Sequence, residues 1–272
     1  MDNPIRIGAV NYLNTKPLIC DLDVLAPAAE LILDVPSRLA DRLAVGELDV
    51  ALIPVIEYFR SGCYSIIADV SIATRGPVLS VTLFSRKPWE EIRRVALDAG
   101  SRTSAALAQI LLHKRYGVHP QVLPLPLDDH AEDAEADAVL LIGDRAMRAC
   151  LPGFAQAYDL GQEWYDWTGL PFVYAVWAVR PGVDLNGVDA ALIEAKRRGR
   201  ERAGVIAHQE APGLGLDAGF CRRYLANILH FDLGPREQAG LHHYYMLACE
   251  LGLAPRGVSL EYYRSAHLAE SR

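Results

Sequence analysis

The chain has 272 residues, of which 51% are hydrophobic and 22% are charged, enough for one large domain or two lobes with packed cores. Its net charge of −7 gives no basic footprint for nucleic acid, although an acidic protein can still hold a local anion site. The five scattered cysteines form no C-x-x-C pair, the N-terminus shows no secretory pattern, and no apolar stretch reaches the ~18 residues of a membrane span, so we expect a cytoplasmic protein without disulfides or a membrane partner.

The first predicted element is a strand over residues 5–10, which leads directly into a polar stretch at 11–16. Ligands of open α/β sheets bind at the carboxyl ends of the strands, so we expect Tyr12 and Asn14 to face a cleft. An asparagine offers both a donor and an acceptor there. The alternative is an ordinary turn, in which Asn14 and Thr15 satisfy only local backbone groups.

A helix is predicted over 37–45, with Ser37 as its N-cap and Gly46 as its stop. A buried strand at 48–55 and further strands up to residue 86 follow.

Ser80 lies in the apolar segment "GPVLSVTLF". Alternation along a strand would point Val78, Ser80 and Thr82 to one side, and we expect that side to face the cleft. The alternative is a serine that only hydrogen-bonds to backbone.

The clearest helix, 101–117, follows a strand at 93–99. Ser101, Thr103 and Ser104 surround its first turn, where free backbone N–H groups and the helix dipole favour a carboxylate or phosphate. Simple N-capping needs only the hydroxyl of Ser101, so the two additional hydroxyls indicate an anion site.

Gly143 and Asp144 come directly after a predicted strand at 138–142. Glycine permits close approach of a ligand. Asp144 has three possible roles: it can hydrogen-bond a substrate hydroxyl, act as a base, or cap the next helix.

The aromatic run of Trp164, Tyr165 and Trp167 fits a cleft wall or ordinary core packing. The last strong strand of the middle group spans 171–182, and residues 188–272 are mainly helical. Alternating strands and helices predict the α/β class.

Two long strands, at 78–86 and 171–180, bracket the middle group. We interpret them as two inter-lobe crossings, which gives a first lobe of 1–86 plus 182–272 and a second lobe of 87–181. Two lobes joined in this way form a hinged clamp around a ligand.

Several motifs that carry other chemistry are missing from the sequence. It contains no G-x-G-x-x-G, no P-loop, no H-E-x-x-H and no G-x-S-x-G. We therefore predict no cofactor and no metal. The oligomeric state is not indicated.

Six segments together resemble the chorismate dehydratase family of the futalosine route to menaquinone. They are "IGAVNYLNTKPL", "LDVALIPVIEYFR", "GPVLSVTLFSR", "SRTSAALAQILL", "VLLIGDRAM" and "YDLGQEWYDWTGLPFVYAVW", which span about residues 5–180 in order. The resemblance implies a two-lobed type 2 periplasmic-binding-protein fold used in the cytoplasm. It also implies that chorismate loses water to give 3-[(1-carboxyvinyl)oxy]benzoate.

The substrate implied by the resemblance is a dianion with a ring hydroxyl. Loss of the C3 proton and the C4 hydroxyl makes the ring aromatic, and a carbanion-like state would place negative charge on the ring carboxylate. We expect the turn at Ser101–Ser104 to hold one carboxylate, and Ser80 and Asn14 to hold the other groups. The base is either Asp144 or the enolpyruvyl carboxylate of the substrate itself.

Three other functions compete with this one. A sister lyase that acts on cyclic dehypoxanthine futalosine shares the fold, but the resemblance to it would imply a histidine after the strand at 138–142, where this chain has "IGDRA". A solute-binding protein without catalysis would bind chorismate unchanged. An effector domain of a regulator is disfavoured because no DNA-binding module precedes residue 5.

Overall fold

The computed structural model describes residues 4–264, so residues 1–3 and 265–272 of the predicted first lobe lie outside the described residues. Eleven strands form two sheets within this range. In chain order they are β1 (Arg6–Val10), β2 (Glu30–Asp34), β3 (Val50–Pro54), β4 (Ser65–Thr74), β5 (Val81–Ser85), β6 (Arg94–Asp98), β7 (Gln121–Leu125), β8 (Ala138–Ile142), β9 (Gln156–Asp159), β10 (Phe172–Val179) and β11 (Leu229–His230).

Helices cover the sheets. They are α1 (Leu22–Leu25), α2 (Pro36–Ala44), α3 (Val55–Ser61), α4 (Arg102–Ile110), α5 (Gly143–Arg148), α6 (Leu160–Thr168), α7 (Val188–Glu201), α8 (Ala203–Leu214), α9 (Ala218–Arg223) and α10 (Pro235–Glu250). Short 3₁₀ segments occur at Leu13–Ile19, Trp89–Glu91 and Ala131–Asp133, and π-helical turns at Leu111–Arg115 and Tyr224–Ile228. Within the described residues, no helix combines the length and apolar character that a bilayer crossing requires.

Several helix boundaries differ from the predictions. Helix α2 begins at Pro36 with Val35 as its N-cap, because proline suits the first helical position, so Ser37 lies inside the helix rather than capping it. The helix predicted over 101–117 is α4 continued by a π-helical turn. Helix α3 follows β3 without a loop and was not predicted.

The two sheets have different strand orders. The first is ordered β11-β4-β10-β3-β1-β2, and the second β7-β6-β8-β5-β9. In the first sheet β1 pairs in parallel with β2 and β3, and β10 runs antiparallel between β3 and β4. In the second sheet β6 pairs in parallel with β7 and β8, and β5 runs antiparallel between β8 and β9.

The two crossings between the sheets lie before β5 and before β10. Strand β5 pairs wholly within the second sheet, with Val81 opposite Ile142, whereas residues 81–86 were predicted in the first lobe. Strand β10 pairs wholly within the first sheet, with Ala175 opposite Pro54, whereas 172–179 were predicted in the second lobe. The chain therefore crosses at 75–80 and 160–171, because each long strand finds its hydrogen-bond partners in the sheet that it enters.

Helix α7 packs on the 3₁₀ segment at Leu13–Ile19 through Gly199. A Cβ atom at this position would lie 2.0 Å from the carbonyl oxygen of Pro17, so backbone approaches backbone where only glycine fits.

We expect Gly199→Ala to lower the free energy of unfolding by about 1–3 kcal/mol, because the clash forces the helix away from the segment that leads to Asn14. Gly213→Ala is the matched control, since nothing lies within 4 Å of its added Cβ. The control should be neutral or stabilising by up to ~1 kcal/mol through better helix propensity. Urea unfolding of both variants measures the difference; equal destabilisation would contradict this account of the close approach.

Candidate active site

A cavity of about 60 Å³ lies between the two sheets, where the carboxyl ends of β1, β3 and β8 meet the first crossing. This is the edge at which α/β sheets bind ligands. Among the described residues its lining is neutral: prolines and aliphatic side chains, and a set of hydroxyl and amide groups. The polar members are Tyr12, Asn14, Ser80, Ser101, Thr103, Ser104 and Tyr174.

The structure brings together most of the residues singled out from the sequence. Gly143 lines the same cavity as the polar set, although these residues come from five separate chain segments. Asp144 is not part of the lining. Its Oδ1 instead accepts a hydrogen bond of 3.2 Å from the Leu13 amide. It does not cap α5, whose N-cap position is occupied by Ile142. Burial raises the pKa of the Asp144 carboxyl.

The first turn of α4 presents its backbone N–H groups without a side-chain cap. Ser101 occupies the N-cap position, but its hydroxyl makes no capping hydrogen bond. Thr103 Oγ1 accepts a hydrogen bond of 3.3 Å from the Ile56 amide, and the Thr103 carbonyl accepts one of 3.2 Å from the Tyr244 hydroxyl. The simple capping alternative for Ser101 is therefore wrong, and the turn keeps the donors that an anion needs.

The nearest cation to this turn is already paired. Arg102 Nη2 lies 2.8 Å from both carboxylate oxygens of Asp41, and Nη1 lies 3.1 Å from Glu57 Oε2. These contacts join the start of α4 to α2 and α3 of the first lobe. An anion in the cavity would therefore meet neutral donors and the helix dipole rather than a free guanidinium.

Ser80 is placed by a turn and not by strand alternation. Leu79 has a φ of +64°, a left-handed conformation that is unusual for a residue with a side chain, and β5 begins only at Val81. The Ser80 Oγ accepts a hydrogen bond of 2.7 Å from the hydroxyl of the fully buried Tyr224. The Ser80 carbonyl accepts another, of 2.8 Å, from the Gly143 amide.

The ring of Tyr12 packs against the backbone of Gly143. This glycine has a φ of +59°, and an added Cβ would lie 2.8 Å from Tyr12 Cε2, so the position requires glycine for both its conformation and its space. Burial raises the pKa of the Tyr12 hydroxyl, and the nearby carboxylates of Asp98 and Asp144 raise it further. Tyr12 is therefore a protonated donor at neutral pH.

Two tyrosines of the site were missed in the sequence. Tyr174 lines the cavity and is 8% exposed, and its hydroxyl lies beside that of Thr74 without a hydrogen bond of normal geometry to any described residue. A hydroxyl within the apolar segment "PFVYAVW" was a signal that could have indicated it. Tyr224 lies in a helical segment far along the chain from Ser80, and no local sequence pattern indicated that the two hydroxyls are in contact.

Trp164 of the aromatic run packs into the core, whereas Tyr165 and Trp167 are half-buried. Trp164 is completely buried, and its Nε1 donates a hydrogen bond of 3.2 Å to the Pro171 carbonyl. Of the two alternatives for this run, Trp164 therefore takes the structural one.

The family model described as menaquinone biosynthesis matches residues 5–250. A chorismate dehydratase of Thermus thermophilus is 33% identical over 257 residues, which cover 88% of this chain and 93% of that protein. A chorismate dehydratase of Campylobacter jejuni is 25% identical over 254 residues, with coverage of 91% and 99%.

Solved structures share the fold at low sequence identity. A protein of Archaeoglobus fulgidus superimposes with a TM-score of 0.70 at 19% identity, covering 93% of this chain and 99% of that one. The periplasmic aliphatic sulphonate binding protein of Escherichia coli gives a TM-score of 0.65 at 17% identity, with coverage of 98% and 94%. The predicted two-lobed periplasmic-binding-protein-like fold, with two crossings, is confirmed.

Proposed function

We propose that this chain, which belongs to the menaquinone biosynthesis family over residues 5–250, is a chorismate dehydratase, a hydro-lyase that converts chorismate into 3-[(1-carboxyvinyl)oxy]benzoate and water. Among the observations, the one that carries the proposal is the 33% identity to the Thermus thermophilus enzyme across 88% of the chain. The cavity adds a chemical reason, because its neutral donors suit an anionic ring. All five cysteines are free thiols, in keeping with work in the reducing cytoplasm.

The chemistry depends on a transient negative charge. Removal of the C3 proton leaves a carbanion that is delocalised through the ring double bond onto the ring carboxylate, and departure of the C4 hydroxyl then gives an aromatic ring. Donors that are fixed around this carboxylate before the reaction stabilise the carbanion more than the ground state. Rate enhancement therefore comes from preorganised N–H and O–H groups.

Six of the seven polar residues that line the cavity have the following roles in this proposal. The uncapped first turn of α4, with the hydroxyls of Ser101, Thr103 and Ser104, holds one carboxylate. Ser80 and Asn14 bind the other carboxylate and the leaving hydroxyl. Tyr12, lying on Gly143, also donates to the substrate.

The proton acceptor in this proposal is the enolpyruvyl carboxylate of the substrate, which lies close to C3. The side chains that line the cavity carry no carboxylate or imidazole among the described residues. The Asp144 carboxylate holds the Leu13 amide, so we assign it to fixing the segment that presents Asn14. It remains the alternative base of this proposal.

Opening of the lobes admits the substrate. The cavity of about 60 Å³ is far smaller than the ~300–1,000 Å³ typical of ligand sites, so entry of chorismate in this proposal requires the lobes to separate. The ion pairs of Arg102 with Asp41 and Glu57 and the bond between Leu13 and Asp144 would separate on opening. Closure around chorismate excludes water and fixes the ring.

The direct test incubates the purified protein with chorismate and follows the aromatic product by NMR. The proposal expects chorismate to disappear with the appearance of 3-[(1-carboxyvinyl)oxy]benzoate, without an added coenzyme. Chorismate that binds and survives unchanged would make the protein a binding protein of the same fold. Chorismate that neither binds nor reacts would refute the proposal.

Tyr174 provides a prediction in which stability and affinity change in opposite directions. Its buried hydroxyl has no well-formed partner in the described structure, so Tyr174→Phe should raise the free energy of unfolding by about 1 kcal/mol. The same change should raise KM for chorismate by about 10-fold, because a donor to the substrate is lost.

Tyr245→Phe is the matched control for Tyr174→Phe. The Tyr245 hydroxyl donates to the Pro255 carbonyl at 2.9 Å and accepts from the Val258 amide, and it does not line the cavity. Its loss should reduce stability and leave KM unchanged. Thermal unfolding and steady-state kinetics of both variants decide, and an unchanged KM in Tyr174→Phe would remove Tyr174 from the binding site.

A further inference from the structure

Asp159 lies where the second crossing begins, at the end of β9 and opposite Thr82 of β5. Two residues further on, at Gly161, the two crossings touch. A Cβ at Gly161 would lie 2.7 Å from the Gly76 carbonyl oxygen of the first crossing. A carboxylate at residue 159 is therefore placed between the only two chain segments that cross between the sheets in the described residues.

The Asp159 carboxylate accepts hydrogen bonds from four backbone amides. Two of them, Gly161 and Gln162, belong to the first turn of α6, at 2.9 and 3.0 Å from Oδ1. The other two, Val78 and Leu79, belong to the first crossing, at 2.9 and 2.7 Å from Oδ2. Capping of α6 alone would be served by a serine or threonine, whereas holding both crossings requires two acceptor oxygens.

The bond to Leu79 acts where the backbone is strained. A left-handed φ of +64° costs a residue with a side chain of the order of 1–2 kcal/mol, so this turn needs an external contact to hold it. The next residue is Ser80, which lines the cavity. A change of the turn at Leu79 would rotate the Ser80 side chain away from the ring of the substrate.

We propose that Asp159 is a positioning residue for the proposed dehydratase: its carboxylate ties the two crossings together and holds Leu79 in the conformation that aims Ser80 into the cavity. Only the expected effect on turnover rests on the proposed function. The hydrogen bonds by which Asp159 joins the two crossings do not depend on that function. Asp159 does not line the cavity, so its contribution passes through Ser80.

Two variants separate positioning from helix capping. Asp159→Asn keeps the shape but leaves one acceptor oxygen for four donors. Asp159→Ser can still cap α6 but cannot reach Val78 and Leu79. Both should lower kcat for chorismate by about 10²-fold with a smaller change in KM, the cost typical of a displaced catalytic contact.

The control is Asp137→Asn in the same lobe. The Asp137 Oδ2 also accepts from two backbone amides, those of Arg93 and Arg94, at 2.8 and 2.9 Å, but it is remote from the cavity. This variant should lose stability and keep its kcat. A kcat that falls equally in Asp137→Asn and Asp159→Asn would reduce Asp159 to a general structural role.

A double-mutant cycle with Ser80→Ala tests the route of the effect. If Asp159 acts through Ser80, then Asp159→Asn should cost less than about 3-fold in a Ser80→Ala background. Losses that multiply in the double variant would overturn the proposal.

Hydrogen exchange of the folded protein measures, without any substrate, whether the Asp159 carboxylate holds the amides of the first crossing. The amides of Val78 and Leu79 should exchange at least ~10-fold faster in Asp159→Asn and Asp159→Ser than in wild type or Asp137→Asn. Unchanged exchange would refute the tie even if turnover fell. Absence of chorismate turnover in wild type would instead refute the proposed function, with the exchange result still deciding the tie.

Discussion

Replacing Ser80 with alanine is expected to lower kcat/KM for chorismate by about 10²–10³-fold, the usual effect of removing one preorganised donor. The Ser80 hydroxyl receives its hydrogen bond from Tyr224 and therefore has its own proton free for the substrate. The buried Tyr224 hydroxyl would lose its acceptor, so stability should also fall, by about 1–3 kcal/mol. Assays below the unfolding transition separate the two effects.

Ser85→Ala, at the end of the strand that follows Ser80, is the matched control. Ser85 is as buried as Ser80, and its Oγ donates to the Lys87 carbonyl at 2.6 Å, away from the cavity. Both variants should lose similar stability, and only Ser80→Ala should lose turnover. Tyr224→Phe should lie between wild type and Ser80→Ala in kcat, because it frees the Ser80 hydroxyl to rotate. Equal kcat in the two serine variants would contradict a role for Ser80 in the reaction.

A negative charge at the start of α4 should strongly weaken substrate binding without unfolding the protein. Ser101→Asp places a carboxylate at the N-cap, where aspartate is favoured and interacts well with the helix dipole. The same carboxylate would occupy the amides that we assign to the substrate and would repel it. Like charges at such distances cost several kcal/mol, so we expect affinity to fall by about 10³-fold.

Ser101→Asn controls for shape and capping. Asparagine is isosteric with aspartate and also caps helices, but it carries no charge. The loss of affinity for chorismate in Ser101→Asn should be at least ten times smaller than the loss in Ser101→Asp. Calorimetric titration of both variants, with thermal unfolding alongside, measures the difference. Equal affinities for the two variants would place both substrate carboxylates elsewhere.

Much of the site was visible in the sequence because it lies at strand ends. A strand followed by Asn14, or by Gly143, leads to the carboxyl edge of a sheet, and strand–turn–helix patterns locate that edge from local residues alone. The first turn of α4, which we assign to a substrate carboxylate, was also visible from local residues. Three hydroxyls stand within four residues of a predicted helix start, more than capping requires.

The features that depend on distant contacts were not visible. The segment before Val81 reads as strand from its residues, whereas a left-handed Leu79, held by Asp159 from 80 positions further along the chain, delays the start of β5 to Val81. The crossings were misplaced for the same reason. Pairing with distant strands assigns β5 to the second sheet and β10 to the first, and local sequence patterns do not specify that pairing. Tyr224 reaches Ser80 across 144 positions for the same reason.

Catalysis as proposed depends most on neutral donors that surround a doubly negative ring between the closed lobes. A crystal structure with 3-[(1-carboxyvinyl)oxy]benzoate bound tests this directly. We predict one carboxylate within about 3.2 Å of the amides and hydroxyls of Ser101–Ser104, and Ser80 and Asn14 at similar distance from the rest of the ligand. A product bound outside this cavity, or one whose carboxylates pair with arginine or lysine side chains, would contradict it.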